Sequence, residues 1–123
     1  MIAGDTNAWI DYSKGLASGH ALKFEDALRT GTLVLPEPVF FELLSGPGLT
    51  QQLETLLASI PRLEITQGFW RRAARLRRGL LRKNRRARAM DSLIAQNCID
   101  HSTPLITGDQ DFRHFIPYGL KLL

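Results

Sequence analysis

Two observations predict an α/β domain with a mostly parallel central sheet. Short apolar segments of strand length alternate with longer segments whose apolar residues recur every three or four positions. This alternation is typical of parallel strands joined by helices. The chain has 123 residues, which suffices for one domain with its own core but not for two. No repeat or linker interrupts it, so we expect a single domain over residues 1–123.

The first half of the chain is predicted to contain two strands and four helices. Thr6 or Asn7 is a suitable N-cap for the first helix. Pro38 favours the start of the third helix, and Gly46 favours its end. The expected elements are, in order, a strand at 1–4, a helix at 6–15, a helix at 19–29, a strand at 32–35, a helix at 38–46 and a helix at 49–60.

The second half is predicted to contain two further helices between short strands. The expected elements are a strand at 63–65, a basic helix at 67–83, a helix at 90–101, a strand at 104–107 and a last strand at 120–123. The basic helix has an expected apolar side made of Phe69, Trp70, Ala73, Leu76, Leu80 and Leu81. Met90, Ile94 and Cys98 stand four residues apart and should face inward, so we interpret Cys98 as a small buried hydrophobe.

The basic residues are concentrated in one segment. Ten of the 16 Lys and Arg residues lie between Arg71 and Arg88, a stretch without any acid. Six basic and 12 acidic residues remain elsewhere, a net charge of −6. On a helix, Arg71, Arg75, Arg78 and Arg82 would share one face. A basic element on an acidic body fits a polyanionic partner, and the alternative is a solvated helix surface.

The sequence predicts a cytoplasmic protein without membrane segments. The opening residues, MIAGDTNAWIDY, contain two acids and lack the basic start of a signal peptide. The apolar runs are far shorter than the roughly 20 residues that cross a bilayer. Cys98 is the single cysteine and has no partner for an internal disulfide, which favours a reducing compartment.

Acidic residues occupy positions where a sheet edge could gather them. Asp5 follows the first predicted strand, and Asp109 follows the strand PLIT. Glu42 and Asp91 lie in otherwise apolar helical segments, where a carboxylate is costly unless its charge is compensated. A divalent cation compensates several carboxylates together, and Mg²⁺ or Mn²⁺ prefers oxygen ligands. Taken singly, each acid has an ordinary alternative as a helix cap, a turn residue or a surface residue.

Four segments carry a resemblance to a known family. GDTNAWIDY, VFFELLSG, MDSLIAQ and ITGDQDF occur in the order, spacing and context of a PIN domain, and they span residues 4–112. The early DTNxxIDY, the ELLSG helix and the TxDxDF ending resemble those of VapC-type toxins. The resemblance implies a three-layer α/β/α sandwich and Mg²⁺- or Mn²⁺-dependent hydrolysis of RNA. It also implies a cognate antitoxin and a homodimer.

The resemblance assigns roles residue by residue. The implied catalytic acids are Asp5, Glu42, Asp91 and Asp109. Among them, Asp5, Asp91 and Asp109 would hold the metal, and Glu42 would hold a metal-bound water or a second ion. The implied accessory residues are Asp111, Thr6 and Thr107, with the two threonines orienting carboxylates through hydrogen bonds.

The arginine run leads directly to Asp91, and we therefore expect part of it to contact RNA. The expected RNA-binding residues are Arg82, Arg85, Arg86 and Arg88. Three features depart from the family pattern. Gly4 is smaller than the usual strand residue, Met90 and Ser92 flank Asp91 where a second acid is common, and the arginine run is unusually dense.

Other readings of the sequence remain open. In one alternative, the protein is a nuclease that processes RNA without any antitoxin. In another, the domain binds RNA through its basic helix and has no catalytic activity. A phosphotransferase that uses Asp109 and Asp111 is disfavoured, because such a pair normally follows the first strand. The histidines show no metal-ligand spacing and are expected at the surface. The aromatic residues Trp9, Tyr12, Phe40 and Phe41 belong either to the core or to a dimer or antitoxin contact, with the core favoured.

Overall fold

The computed structural model describes all 123 residues. Its helices and strands alternate as the sequence predicts. The elements are β1 (Ile2–Gly4), α1 (Thr6–Ser13), α2 (Gly19–Arg29), β2 (Leu33–Pro36), α3 (Glu37–Leu44), α4 (Gln51–Ser59), β3 (Arg62–Leu63), α5 (Phe69–Arg82), α6 (Ala89–Asp100), β4 (Leu105–Ile106) and a 3₁₀ segment (Gln110–Tyr118). No helix is both long enough and apolar enough to cross a membrane.

The four strands form one parallel sheet in the order β3-β2-β1-β4. From β1 to β3, each new strand is added on the same side of β1. The chain then returns and places β4 on the other side of β1. Because parallel crossovers are right-handed, this reversal puts the helices before β4 on the opposite face from the earlier ones. The prediction of a three-layer α/β fold with a parallel sheet is confirmed.

The reversal of strand order defines where a ligand would bind. The carboxyl ends of β1 and β4 are neighbours, with Gly4 paired with Ile106. In open parallel sheets, the crevice for ligands opens at this switch point, beyond the carboxyl ends of the strands. The residues that follow β1 and β4 are therefore placed next to each other, although about 100 positions separate them in the sequence.

Gly4 is explained by the packing of α2 on the sheet. A Cβ atom at this position would lie 2.7 Å from Phe24 Cε2, and the Phe24 ring is completely buried. The same ring meets Trp9 edge-to-face, with the centroids 4.6 Å apart. Trp9 is 1% exposed, so its assignment to the core is confirmed, whereas Phe41 is 61% exposed. The missing side chain in β1 is thus replaced by an aromatic ring from α2.

Asp5 caps α1, and the expectation that Thr6 or Asn7 would do so is wrong. The Asp5 side chain accepts a hydrogen bond from the backbone N–H of Ala8 at 2.7 Å. Thr6 is already the first helical residue, and its hydroxyl is directed elsewhere. An aspartate is as good a cap as a serine or an asparagine. The cap was missed because the same residue had been assigned to the strand end.

The C-terminal region differs from the expected strand at 120–123. Leu122 makes only an isolated bridge to Leu105, and a nine-residue 3₁₀ segment precedes it. Phe112 and Phe115 are buried in that segment, and side chains three residues apart share one face of a 3₁₀ helix. Pro117 lies within the segment, which made regular helix an unattractive prediction.

The apolar side of α5 is narrower than expected. Its buried residues are Phe69, Ala73, Leu76 and Leu80. Trp70 and Leu81 are 64% and 48% exposed, so their assignment to the packed face is wrong. The buried positions follow the three-and-four spacing that contacts α6, and the two others lie beside that stripe. Cys98 of α6 is buried as predicted, and burial raises the pKa of its thiol to about 12.

Candidate active site

Asp5 is the buried acid at the centre of the site. It lies directly beyond β1 and is only 2% exposed. Its carboxylate accepts hydrogen bonds from the Ala8 N–H and from the hydroxyl of Thr107, which follows β4. Burial raises the pKa of Asp5 above its usual range, and these two hydrogen bonds lower it in part. Polar groups from two separate segments thus support a carboxylate that water barely reaches.

Thr107 connects both sides of the switch point. Its hydroxyl donates to Asp5, and its oxygen accepts the backbone N–H of Asp109 at 3.0 Å. Asp109 in turn caps the 3₁₀ segment, because its Oδ1 accepts the N–H of Asp111 at 2.9 Å. One hydroxyl therefore fixes the relative position of two acids that are 104 residues apart in the sequence.

Glu42 is held by a residue of another helix. The Thr6 hydroxyl, in the first turn of α1, donates a hydrogen bond to Glu42 Oε1 at a distance of 2.5 Å. Glu42 lies in α3, which begins directly after β2. This bond is the side-chain link between the helix that follows β1 and the helix that follows β2. It directs the Glu42 carboxylate toward the edge of the sheet that carries Asp5.

Asp91 is a partly buried acid whose ionisation is opposed by burial and by the other acids of the site. It lies in the first turn of α6, whose N-cap is Arg88, so the alternative reading of Asp91 as a cap is wrong. Burial raises the pKa of Asp91 to about 6, and the negative charge of Asp109 contributes next. Asp5 and Glu42 also raise it, whereas Arg88 lowers it. Like charges disfavour each other's ionisation, so the other three acids add to the effect of burial on Asp91.

One cavity of about 120 Å³ brings the four predicted catalytic acids together. Its lining is mostly polar and comes from α1, α3, α6 and the segment after β4. The lining residues are Asp5, Thr6, Asn7, Glu42, Arg88, Asp91, Ile94, Asp109 and Phe112. A crevice with several acids and one arginine can accept a cation and a phosphate at the same place.

Five predicted site residues do not line this cavity, namely Asp111, Thr107, Arg82, Arg85 and Arg86. The Asp111 carboxylate is 3.5 Å from Arg86, and its backbone N–H, rather than its charge, contacts Asp109. Arg82 lines a separate surface hollow with Arg78. Arg85 is exposed and makes no side-chain hydrogen bond or ion pair with the protein. Among the four arginines expected to bind RNA, Arg88 is the one that lines the cavity.

Sequence reasoning missed two residues near the acids. Asn7 lines the cavity, and its place next to the DT pair in the first turn of α1 was the available signal. His20 was expected at the surface, but its ring is half-buried against Gly108 and lowers the pKa of Asp5. Nothing in the local sequence around His20 indicates this contact, because it depends on how α2 crosses the sheet.

The chemistry of the lining fits a hard divalent cation better than its spacing does. Carboxylate oxygens are the ligands that Mg²⁺ and Mn²⁺ prefer, and burial, with a smaller contribution from neighbouring carboxylates, raises the pKa of Asp5 and Asp91. No three acidic, histidine or cysteine side chains are close enough to form a ready coordination group. Thr107 and Thr6 hold Asp5 and Glu42 in their present positions.

The family comparison agrees with this architecture. The sequence model of the PIN domain matches residues 2–116. The chain belongs to the PIN domain family. A search of curated protein sequences gave no significant match. The predicted family is therefore confirmed over nearly the whole chain.

Solved structures share the PIN fold of this chain at low sequence identity. The crystal structure of VapBC2 from Rickettsia felis, bound to a promoter DNA fragment, has a TM-score of 0.74 and 21% identity, and covers 100% of this chain and 98% of its own. FitAcB from Neisseria gonorrhoeae has a TM-score of 0.73 and 18% identity, with coverage of 100% and 96%. FitAB bound to an IR36 DNA fragment has a TM-score of 0.72 and 19% identity, with coverage of 100% and 94%.

Proposed function

We propose that this PIN domain is a Mg²⁺- or Mn²⁺-dependent endoribonuclease that acts as the toxin of a VapBC-type toxin–antitoxin pair. The observation that carries the proposal is the cavity at the switch point, where four carboxylates surround a space of about 120 Å³. Burial and mutual repulsion raise the pKa of two of these acids, which is the electrostatic condition that a divalent cation relieves.

The residues of the cavity have distinct tasks in this proposal. Asp5, Asp91 and Asp109 would hold the metal, and Glu42 would orient a water molecule or a second ion. A bound divalent ion supplies a more acidic water and neutralises charge that develops on the phosphate. Arg88 lines the same cavity and would bind a phosphate oxygen opposite the acids. Thr6 and Thr107 keep the carboxylates oriented through their hydroxyls.

The arginines around Arg88 would guide the RNA strand toward the cavity. Arg82 ends α5, and Arg85 and Arg86 lie in the segment between α5 and α6 that leads to Arg88; all three are exposed. Arg71, Arg75 and Arg78 are exposed on α5 and extend the basic surface. Backbone phosphates attract such a surface without regard to base sequence.

The proposed protein partners are a cognate antitoxin and a second copy of the chain. The similar structures VapBC2 and FitAB are complexes bound to DNA, which supports an antitoxin partner. An open apolar groove of about 360 Å³ lies between α3, α5 and α6, and Phe41 and Trp70 line it. Both aromatic residues are largely exposed, as is common at protein contacts. Light scattering of the purified chain tests whether it is a dimer.

Cleavage of total RNA by the purified chain tests the catalytic part of the proposal. RNA is incubated with the protein and Mg²⁺, Mn²⁺ or EDTA, and the new ends are mapped. We expect cleavage with either metal, none with EDTA, and a loss of several orders of magnitude in Asp5→Asn. Asp26→Asn is the matched control, because Asp26 is exposed and pairs only with Arg29. Undiminished cleavage in EDTA, or by Asp5→Asn, would reject a metal-dependent mechanism.

Growth measurements separate a toxin from the alternatives. Expression of the wild-type chain should arrest growth, and co-expression of a small protein encoded beside it should relieve the arrest. RNA cleavage in vitro without any growth defect would favour an RNA-processing nuclease. RNA binding that is unchanged by EDTA and by Asp5→Asn, without any cleavage, would favour a non-catalytic binding module.

A further inference from the structure

His20 occupies an unusual position beside the candidate site. It lies near the start of α2, and its ring approaches the turn that joins Thr107 to Asp109. A Cβ atom on Gly108 would be 2.5 Å from His20 Cε1 and 2.7 Å from Nδ1. The ring therefore rests directly against the backbone of Gly108, in space that any side chain at this position would fill.

The ring is fixed from its other side. His20 Nε2 donates to the carboxylate of Asp11, a residue of α1, and lies 3.1 Å from Ser18 Oγ. Ser18 is itself held, because its hydroxyl oxygen caps α2 by accepting the N–H of Ala21. A carboxylate only accepts hydrogen bonds, so Nε2 carries the proton and the ring orientation is defined. Groups from α1 and from the start of α2 thus fix the imidazole in its position against Gly108.

The supported turn contains Asp109 and contacts Asp5. Thr107 donates to Asp5 and accepts from the Asp109 backbone, and Gly108 lies between these two residues. A shift of Gly108 would move both contacts together. His20 does not line the cavity, so apart from its charge, which lowers the pKa of Asp5, its influence on the position of the acids passes through this turn.

We propose that His20, oriented by Asp11, is a positioning residue that fixes the Thr107–Gly108–Asp109 turn and thereby the carboxylates of Asp5 and Asp109. The proposal rests on the proposed nuclease function for its effect on catalysis, but not for its effect on the turn. Gly108 has no positive φ angle, so the ring, rather than the backbone conformation, is what excludes a side chain there.

A double-mutant cycle between His20 and Gly108 tests whether the contact between the His20 ring and Gly108 fixes the turn. Gly108→Ala should displace the turn in the wild-type background, because the new methyl group overlaps the ring. In the His20→Ala background the same change should have little further effect, since the overlapping ring is gone. Residues in direct contact show such non-additivity, whereas independent sites do not. His101→Ala is the matched control, because His101 bonds the Glu64 carbonyl, away from the turn.

Two readouts are measured for each variant. The first is hydrogen exchange at the Asp109 N–H, which should become about tenfold faster in His20→Ala while core amides of α6 stay protected. The second is RNA cleavage, where kcat should fall about 10–100-fold with KM unchanged, as expected for misplaced catalytic groups. Asp11→Asn should reproduce both changes in part, because the ring loses its orienting bond but remains present.

The outcomes distinguish this proposal from the nuclease proposal. Unchanged exchange at Asp109 together with unchanged kcat would overturn the positioning role, and so would additive effects in the cycle. Faster exchange throughout the protein would also overturn it, because His20 would then only stabilise the fold. If the effects of the two substitutions on hydrogen exchange at Asp109 are non-additive but the protein cuts no RNA, the positioning role of His20 is supported and the nuclease proposal is rejected.

Discussion

Replacing Asp91 by Asn should stabilise the folded protein at neutral pH, and it should abolish the proposed cleavage of RNA. Burial, followed by the charge of Asp109, raises the pKa of Asp91 from 3.8 to about 6. Each pH unit of such a difference is worth about 1.4 kcal/mol, so the full conflict would amount to about 3 kcal/mol. Asp91 is only partly buried, and screening by solvent reduces this to about 1–2 kcal/mol.

The pH dependence gives the prediction its sign. A carboxyl whose pKa is raised on folding binds its proton more tightly in the folded state. Its ionisation therefore costs stability above pH 6, and the cost disappears as the pH falls to about 4. The free energy of unfolding of Asp91→Asn should exceed that of the wild type at pH 7.5, and the difference should vanish near pH 4.

Thermal and urea unfolding without divalent ions measure the effect. For 123 residues, a gain of 1–2 kcal/mol corresponds to a rise in Tm of about 4–8 °C. Millimolar Mn²⁺ should raise the Tm of the wild type but raise that of Asp91→Asn far less. An Asp91→Asn protein that is no more stable at pH 7.5, or whose advantage does not change with pH, would refute the reasoning.

Asp100 on the same helix is the matched control with the opposite sign. Burial raises its pKa, but hydrogen bonds from Arg72 and Gln96 outweigh burial and hold the pKa below its usual range. Arg72 Nη2 is 2.7 Å from one carboxylate oxygen, and Gln96 Nε2 is 2.8 Å from the other. Its ionised form adds stability that is lost as the pH falls through its folded pKa. Asp100→Asn should therefore lower the Tm at pH 7.5.

Two further predictions concern the core and the basic surface. Gly4→Ala should destabilise the fold by about 1–3 kcal/mol in urea unfolding, because its methyl group overlaps the buried Phe24 ring. Gly19→Ala, with open space around its Cβ position, should not be destabilising. Four arginines that engage phosphates would give single-stranded RNA binding a slope of about −3 in log K against log salt. That slope should flatten when all four expected RNA-binding arginines are changed to Gln, namely Arg82, Arg85, Arg86 and Arg88. An unchanged slope would show that RNA binds to another part of the surface.

The sequence predicted the sheet and most helices because their signals are local. The helix over residues 19–29 and the helix near 90–101 follow apolar spacing that any parallel-sheet fold would require. The 3₁₀ segment had no such signal, because Pro117 and closely spaced aromatic residues fit neither regular period. Trp70 was misplaced since spacing defines a stripe only to within one position on the helix.

The candidate acids could be predicted, but their supporting contacts could not. Asp5 and Asp109 follow strands, and parallel topology brings strand ends together without further information. The contact of His20 with Gly108 depends on the angle at which α2 crosses the sheet, which no local pattern encodes. The same holds for Gly4, whose small size makes sense only with Phe24 above it.

The hydrogen bonds of the site show where negative charge is least compensated. Asp5 receives two donors, Glu42 receives the Thr6 hydroxyl, and Asp109 receives the Asp111 N–H. Asp91 accepts no side-chain or loop hydrogen bond, and only the charge of Arg88 offsets its repulsion from the other acids. A cation that reaches the cavity therefore gains most at Asp91. Under the proposed function, a metal ion and a basic side chain of an antitoxin would compete for this carboxylate, so occupation by one excludes the other.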